Sequence, residues 1–486
     1  MNNFELKKFN EAIFKIKESK IKESEKILSD INNPLAYYNA ALVSEKIKNF
    51  DLAIKFYDKS IKLDPNYYQA FINKSIVIEK KGDIISAIKC LESTNKIKSN
   101  LHYITYHNLG NLYSKILKYS LSIKYYKKSY ELNKDNLLSL HNIANIYEEI
   151  GNFKKSLQVY DKLIQEAKKK KIVNKFPKTL LNRALLLVKL GKYKKGLKDY
   201  EYRWFTPEFI KRKKNFGVET WKKNQNISGK TLLVFNEQGL GDTIYFYGCL
   251  KELIKKNIKI IFLIQKPLED LFKKLDKEIL VISNEKKLPK FDYSISLLSL
   301  PFYLDWDKKK ISNYRININP EKKLKTYWNS ILLKKNNIGI SWKGSQYKNA
   351  KFRTIGFEKL SVLFKKHENL NFYCLHNEYT DDEKFELRKY KNVNYYLGNK
   401  MNFSNTLALC SNLDLVITID TSIAHISCVA GTKTWILSKI NPSWLFHINS
   451  NKSLMYPSAK LFKQLEFNNW DNVIDNVSLK LKKLFK

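Results

Sequence analysis

The stretch Thr231–Leu250, TLLVFNEQGLGDTIYFYGCL, decides how the second half of this 486-residue chain is read. It opens on a short apolar run, turns through Gly239 and Gly241, and meets Asp242 before a second apolar run. A strand, a glycine turn and a helix start, in that order, mark a ligand crevice at the carboxyl edge of a parallel sheet. The dinucleotide fingerprint is excluded. Ile244 stands where a third glycine is needed, and the next apolar run, Ile258–Ile264, ends in Gln265 and Lys266 rather than in an acid. The glycines still let a ligand approach the backbone. Asp242 has two readings. As an N-cap it satisfies free N–H groups at the helix start; as a general base it faces the crevice and takes a proton. The residues alone leave both open.

Outward from this stretch, short apolar runs alternate with helical ones. Strands are expected at Thr231–Asn236, Ile258–Ile264, Ile279–Ile282, Tyr293–Ser296, Ile338–Trp342, Asn371–Leu375, Val393–Leu397, Leu415–Ile419 and Thr434–Leu437. Helices are expected at 242–256, 356–367, 403–411 and 422–430. Such alternation argues for parallel sheets wrapped by helices. Nine strands suit two Rossmann-like lobes better than one, with the break near NINPEKKLKTYW: residues 230–320 and 321–486.

Two further loops follow strands. IGISWKGSQYKNAKFRTIGFEKL carries Gly344, Ser345, Lys351 and Arg353 behind Ile338–Trp342. Backbone, hydroxyl and cations after a strand suit a phosphate site; a solvated lysine-rich loop is the plain alternative. LDLVITIDTSIAHISCVAGTKTWIL ends a strand at Asp420, and Thr421, Ser422 and His425 open a helix. A helix N-terminus offers free N–H groups and a positive dipole end to a diphosphate; here the plain alternative is a capped helix with His425 packed inward.

The first two hundred residues have another period. GDIISAIKCL, LKYSLSIKYY, GNFKKSLQVY and GKYKKGLKDY are versions of one pattern, and KNFDLAIKFYDKSIKLDP is the fullest copy. A small residue recurs at Ala53, Ala87, Ser122, Ser156 and Gly196, at separations of 34, 35, 34 and 40. Twelve residues earlier lies another (Ala41, Ser75, Gly110, Ala144, Ala184), and four residues later a large one (Tyr57, Leu91, Tyr126, Tyr160, Tyr200). This helix–turn–helix unit resembles the tetratricopeptide repeat, which stacks into a solenoid with a groove for a peptide, a partner or an acceptor. A scaffold that only dimerises or positions the next domain fits equally well. The solenoid is expected over residues 1–204, with 1–32 as a degenerate cap, QEAKKKKIVNKF as a lengthened turn, and the lysine-rich 205–229 as a linker.

Composition bounds the rest. The formal charge of +41 comes almost wholly from lysine, with six arginines, spread along the chain. Nucleic-acid readers concentrate arginine forks on one face, so nucleic acid is not the expected partner. Attraction to an anionic substrate or a membrane surface remains open. There is no transmembrane-length apolar run, and MNNFELKKFNEAIFK lacks a signal peptide's apolar core. Five scattered cysteines without a CxxC pair suit reduced thiols in a cytoplasmic protein that can lie against the inner face of the membrane.

Together NEQGLGDTIYFYGCL, LSLP at 298–301, GISWKGS…KFRTI, the 407–437 block, NPSW and YPSAKLFKQ resemble glycosyltransferase family 9, the heptosyltransferase-like enzymes. The closer resemblance is to bacterial proteins in which tetratricopeptide repeats precede such a domain. The transferase resemblance covers roughly residues 225–475, with the repeats over 33–205, and the aspartate–threonine–small–x–x–histidine block is its most specific part. The resemblance implies a GT-B fold of two Rossmann-like lobes and an inverting transferase without bound metal or cofactor, the nucleotide sugar being a substrate. It implies Asp242 as general base on the acceptor-side loop of Gly239 and Gly241, and Arg353 near the donor diphosphate. Gly344, Ser345, Asp420, Thr421, Ser422 and His425 would line the diphosphate site. Met401 would lie near the base, and Glu378 or Asp381 near the ribose. SWKGSQYKNAKFR departs from the hydroxyl-rich phosphate loop of heptosyltransferases, which puts ADP-heptose in doubt. Asp305 and Asp307 spell a DxD, read here as a surface loop. The acceptor would be a glycan, a lipid-linked molecule or a protein, as in a protein O-glycosyltransferase; a non-catalytic scaffold with a vestigial transferase domain is the alternative from another class.

Overall fold

The helix pairs fall where the small-residue spacing puts them. In the computed structural model, which describes residues 3–97, 99–344, 354–376, 379–395 and 401–485, Pro34–Lys46 pairs with Phe50–Leu63, Tyr68–Lys80 with Ile84–Glu92, His102–Lys115 with Tyr119–Leu132, Leu137–Glu149 with Phe153–Lys169, and Pro177–Lys189 with Tyr193–Tyr200. Asn3–Lys17 and Ile21–Ile31 form a further pair in front. The small residues are buried because the helices of a pair meet there. Ser122 Oγ donates to the Gly110 carbonyl at 2.6 Å, and Ser156 Oγ to the Ala144 carbonyl at 2.8 Å, one repeat on. The turn between paired helices needs a left-handed residue. Gly82, Gly151 and Gly191 supply it at φ 95°, 81° and 77°, while Lys48 and Leu117 adopt it at 63° and 61°. The long fourth period is only partly turn: its second helix extends to Lys169, and a short 3₁₀ turn, Val173–Lys175, follows.

The chain divides into two compact units, Met1–Tyr147 with Lys154–Lys169, and Glu148–Phe153 with Lys170–Lys486. The fifth helix pair therefore belongs with the second unit. Its Ala184, Val188, Tyr193, Leu197 and Tyr200 share one core with Leu232, Ile244 and Phe446. Residues 205–229 are packed rather than strung out. Trp221 is buried, its backbone N–H donates to the Ser294 carbonyl at 3.0 Å, and Phe216 packs edge-on against Phe235 and Phe291.

Among its described residues the second unit holds ten strands: β1 Thr231–Phe235, β2 Lys259–Leu263, β3 Ile279–Ile282, β4 Tyr293–Ser296, β5 Asn337–Ser341, β6 Asn371–Cys374, β7 Val393–Asn394, β8 Leu415–Ile419, β9 Thr434–Ser438 and β10 Ala459–Lys463. They form two parallel sheets, in the orders β3-β2-β1-β4 and β10-β9-β8-β5-β6-β7. The central strands β5, β8 and β9 are buried along their whole length, as a sheet covered on both faces requires. This is the expected pair of Rossmann-like lobes. The Val393–Leu397 run is a strand only at 393–394 among the described residues. β10 went unforeseen: in AKLFK the exposed Lys460 interrupts buried Ala459, Leu461 and Phe462 on an edge strand, so it lacks the continuous apolar run of its neighbours. The helix expected at 242–256 is two, Leu240–Phe246 and Gly248–Ile254.

Candidate functional site

The site is built where β1 and β8 end. Past β1 the chain runs through Asn236, Glu237 and Gln238 to Gly239, the N-cap residue of Leu240–Phe246. Asp242 is not the N-cap; it occupies the third helical position and reaches back, Oδ2 accepting the Gly239 N–H at 3.1 Å. It thus caps its own helix from inside the first turn, the carboxylate half of a capping box. Past β8, Thr421 takes the N-cap position of Ser422–Val429 with extended backbone, yet its side chain makes no cap bond to that helix. Its hydroxyl turns instead toward the Ile419 carbonyl at 3.5 Å. The positive end of this helix is therefore left without a side-chain cap from Thr421.

One turn into that helix, His425 is buried, its Nδ1 3.0 Å from the Tyr456 hydroxyl. Burial lowers its imidazole to a pKa of about 4, so it is neutral near pH 7. The two loops touch. A β-carbon on Gly241 would fall 2.6 Å from His425 Cδ2 and 3.5 Å from Ser422 Cα. The end of β5 joins them: a β-carbon on Gly344 would fall 3.1 Å from Thr421 Cγ2. Beneath lies the Tyr456 phenol, pushed up foremost by burial, with Cys428, Tyr245, Asp242 and Asp420 as lesser causes. Gly239, Gly241, Asp242, Gly344, Asp420, Thr421, Ser422 and His425 are thus gathered from three strand ends.

The other expected residues divide. Ser345, Lys351, Arg353 and Glu378 lie outside the described residues. Met401 is half-buried against the core, just before Phe403–Cys410. Asp381 opens Asp381–Leu387 on the surface, paired with Lys384 at 3.0 Å. Two residues on, Glu383 has the inward role: its Oε2 accepts the Thr380 N–H at 2.8 Å and Lys343 Nζ at 2.5 Å. Thr380-x-x-Glu383 is a capping box legible in sequence but not singled out there. The DxD carboxylates are engaged locally. Asp305 takes Lys223 Nζ at 2.6 Å, and Asp307 Oδ1 accepts the backbone N–H groups of Lys309 and Lys310 at 2.8 and 2.9 Å. Among the described residues, no three His, Cys, Asp or Glu side chains gather as a metal set. No helix is long and apolar enough to cross a membrane among those residues.

A buried ion pair behind the first loop was not anticipated. Arg203 is fully buried, its Nη2 3.1 Å from Glu237 Oε1, 3.1 Å from Ser296 Oγ and 2.7 Å from Ser299 Oγ. Its Nη1 lies 2.6 Å from Glu201 Oε1, and the rings of Tyr200 and Trp204 flank the guanidinium at 4.4 and 4.5 Å. The sequence signal was an arginine, rare in this chain, set among aromatic residues in EYRWF.

Three stretches, residues 34–67, 103–136 and 139–172, match models of the tetratricopeptide repeat. The N-terminal helix pairs are such repeats. The TPR repeat-containing protein MJ1428 of Methanocaldococcus jannaschii is 32% identical over 111 residues, 22% of this chain. The chain spans only 19% of that relative's length. Among solved structures, MamA matches 33% of this chain and 89% of its own, at 20% identity and a TM-score of 0.29. A glycosyl transferase family 9 structure from Veillonella parvula DSM 2008 matches 54% of this chain and 98% of its own, at 12% identity and a TM-score of 0.41.

Proposed function

We propose that the second unit is an inverting glycosyltransferase that moves a sugar from a nucleotide-sugar donor to an acceptor hydroxyl without a bound metal. The observation that carries this reading is the meeting of the Asp242 turn with the Thr421–His425 helix start, at the carboxyl ends of strands from two parallel sheets. The sequence resemblance to glycosyltransferase family 9 supplies the reaction. In this reading Asp242 removes the proton from the acceptor hydroxyl as that oxygen attacks the anomeric carbon. The bond to the diphosphate breaks, and its electron pair leaves with the nucleoside diphosphate. That charge is met by the N–H groups at the Ser422 helix start, with Gly344, Ser345 and Arg353 as further donors from the loop behind β5.

His425 is the neutral support of the helix start rather than a cation for the diphosphate. The repeats would present a glycan, lipid-linked or protein acceptor, and a protein partner is an alternative use of their groove. A lysine-rich surface suits anionic donors and contact with the inner face of a membrane.

The test has two stages. A thermal-shift screen of UDP, GDP, ADP and CDP, and of their sugars, identifies the donor class. Asp242→Asn then keeps an oxygen for the Gly239 N–H but loses the base. Expected are an unchanged melting temperature, unchanged donor affinity, and transfer lower by about 10²-fold or more. Wild-type transfer by this variant would return Asp242 to capping alone.

A further inference from the structure

We propose that Arg203, at the end of the last repeat, is a positioning residue for the turn that carries Asp242. Glu237 is the second residue after β1, and its side chain is fully buried. Its carboxylate meets Arg203, and its backbone carbonyl accepts Arg212 Nη1 at 3.2 Å. The next residue, Gln238, donates through Nε2 to the Tyr200 hydroxyl, and its carbonyl accepts Gln265 Nε2 at 2.9 Å. Gln265 Oε1 in turn accepts Thr243 Oγ1 at 3.0 Å. Arg203 and Tyr200 thus grip the two residues before Gly239, and Gln265 ties those residues to the helix on the far side of Asp242.

The chemistry of the pair argues for placement over stability. A buried ion pair gains little over apolar packing, because desolvating two charges offsets their attraction. This pair is also imperfectly satisfied. Glu237 Oε2 and Arg203 Nε are buried without a hydrogen-bond partner among the described residues. What it supplies is direction: a planar guanidinium, held between Tyr200 and Trp204, fixes where the carboxylate can sit. Apolar side chains at both positions would pack, but the Glu237 side chain would lose its directional tie, leaving Arg212, Tyr200 and Gln265 to hold residues 237–238. The last repeat is accordingly a working part of the second unit, whatever the earlier repeats bind.

The effect on transfer rests on the proposed role of Asp242; the effect on the turn does not. The experiment uses the full chain with Glu237→Gln, Arg203→Lys and Ser299→Ala. Hydrogen–deuterium exchange of residues 236–243 is read beside melting curves, binding of the nucleoside diphosphate chosen by the screen, and steady-state transfer. Folded variants at Glu237 or Arg203 are expected to exchange that turn at least ~10-fold faster, while β5, β8 and Ser422–Val429 keep their protection. Ser299→Ala is expected to show a smaller change of the same kind. Diphosphate affinity should hold, and kcat should fall at constant donor KM. Lysine should not rescue, because one ammonium cannot reproduce the fork. Unchanged exchange at 236–243 in folded Glu237→Gln or Ser299→Ala overturns the inference, as does exchange that rises evenly across the second unit. If the turn loosens while Asp242→Asn transfers normally, the positioning of the turn stands and the reading of Asp242 falls.

Discussion

The imidazole of His425 fills the space that a side chain at Gly241 would need. A β-carbon there would lie 2.6 Å from Cδ2 and 3.1 Å from Nε2 of that ring. The ring cannot retreat, since it is buried, bonded to Tyr456 and packed near Tyr245 and Phe446. Gly241→Ala is therefore expected to destabilise the second unit by about 1–3 kcal/mol, the scale of overpacking in a close-packed interior. Gly239 is the control. It is exposed, and among the described residues a β-carbon there would meet Asp242 Oδ2 alone, at 3.2 Å. Gly239→Ala should cost less, about 0.5–1 kcal/mol, for the loss of a favoured N-cap residue, and equal melting of both variants would refute the contact.

The same ring gives a pH dependence. His425 binds a proton less tightly in the fold, at a pKa of about 4, than in the unfolded chain, near 6.5. The unfolded form therefore takes up the proton first as pH falls. The stabilisation is complete above pH 6.5 and is lost progressively toward pH 4, by about 3 kcal/mol in all. Urea unfolding of the parent and of His425→Gln between pH 7.5 and 4.5 measures the difference. The parent should lose more stability than the variant over this range; parallel curves would place the proton uptake elsewhere.

The end of the last repeat can be tested by truncation. A chain beginning at residue 206 keeps Glu237 but removes Arg203 and the repeat side chains that share its core. Removing one partner of a buried ion pair costs about 3–5 kcal/mol, before any lost packing. That truncation should give a chain with no cooperative melt. One beginning at residue 134, which retains the last two helix pairs, should keep the second unit's transition. A cooperative melt at the parent temperature from the shorter chain would show that the last repeat is dispensable.

In the repeats, Leu117 stands at φ 61° where three equivalent positions carry glycine. Left-handed backbone costs a side-chain-bearing residue about 1–2 kcal/mol, and the extra freedom of unfolded glycine offsets part of that gain. Leu117→Gly should stabilise the repeat transition by about 0.5–1 kcal/mol, read as a higher melting temperature. Lys48→Gly, at the matching turn, should behave alike; destabilisation in both would mean that the strain is already relieved by local contacts.

The sequence by itself determined the period and the alternation. Repeats show because each pair must bury small residues at the same two places, and Ala41 with Ala53 or Gly110 with Ser122 do so at a fixed spacing of twelve. Strands such as Leu415–Ile419 show because a sheet covered on both faces needs a continuous apolar run. The glycine turn and the Asp420–His425 block show because strand-to-helix turns are local. The structure decided three things, two of them through contacts between distant residues. It seated Gly241 against His425, 184 residues apart in the chain. It put Asp242 at the third position of its helix, where it caps Gly239. It also closed Arg203 over Glu237, which made the last repeat part of the second unit. A contact between distant residues leaves no period in a single chain, and a buried charge looks like any surface charge until the fold removes its water.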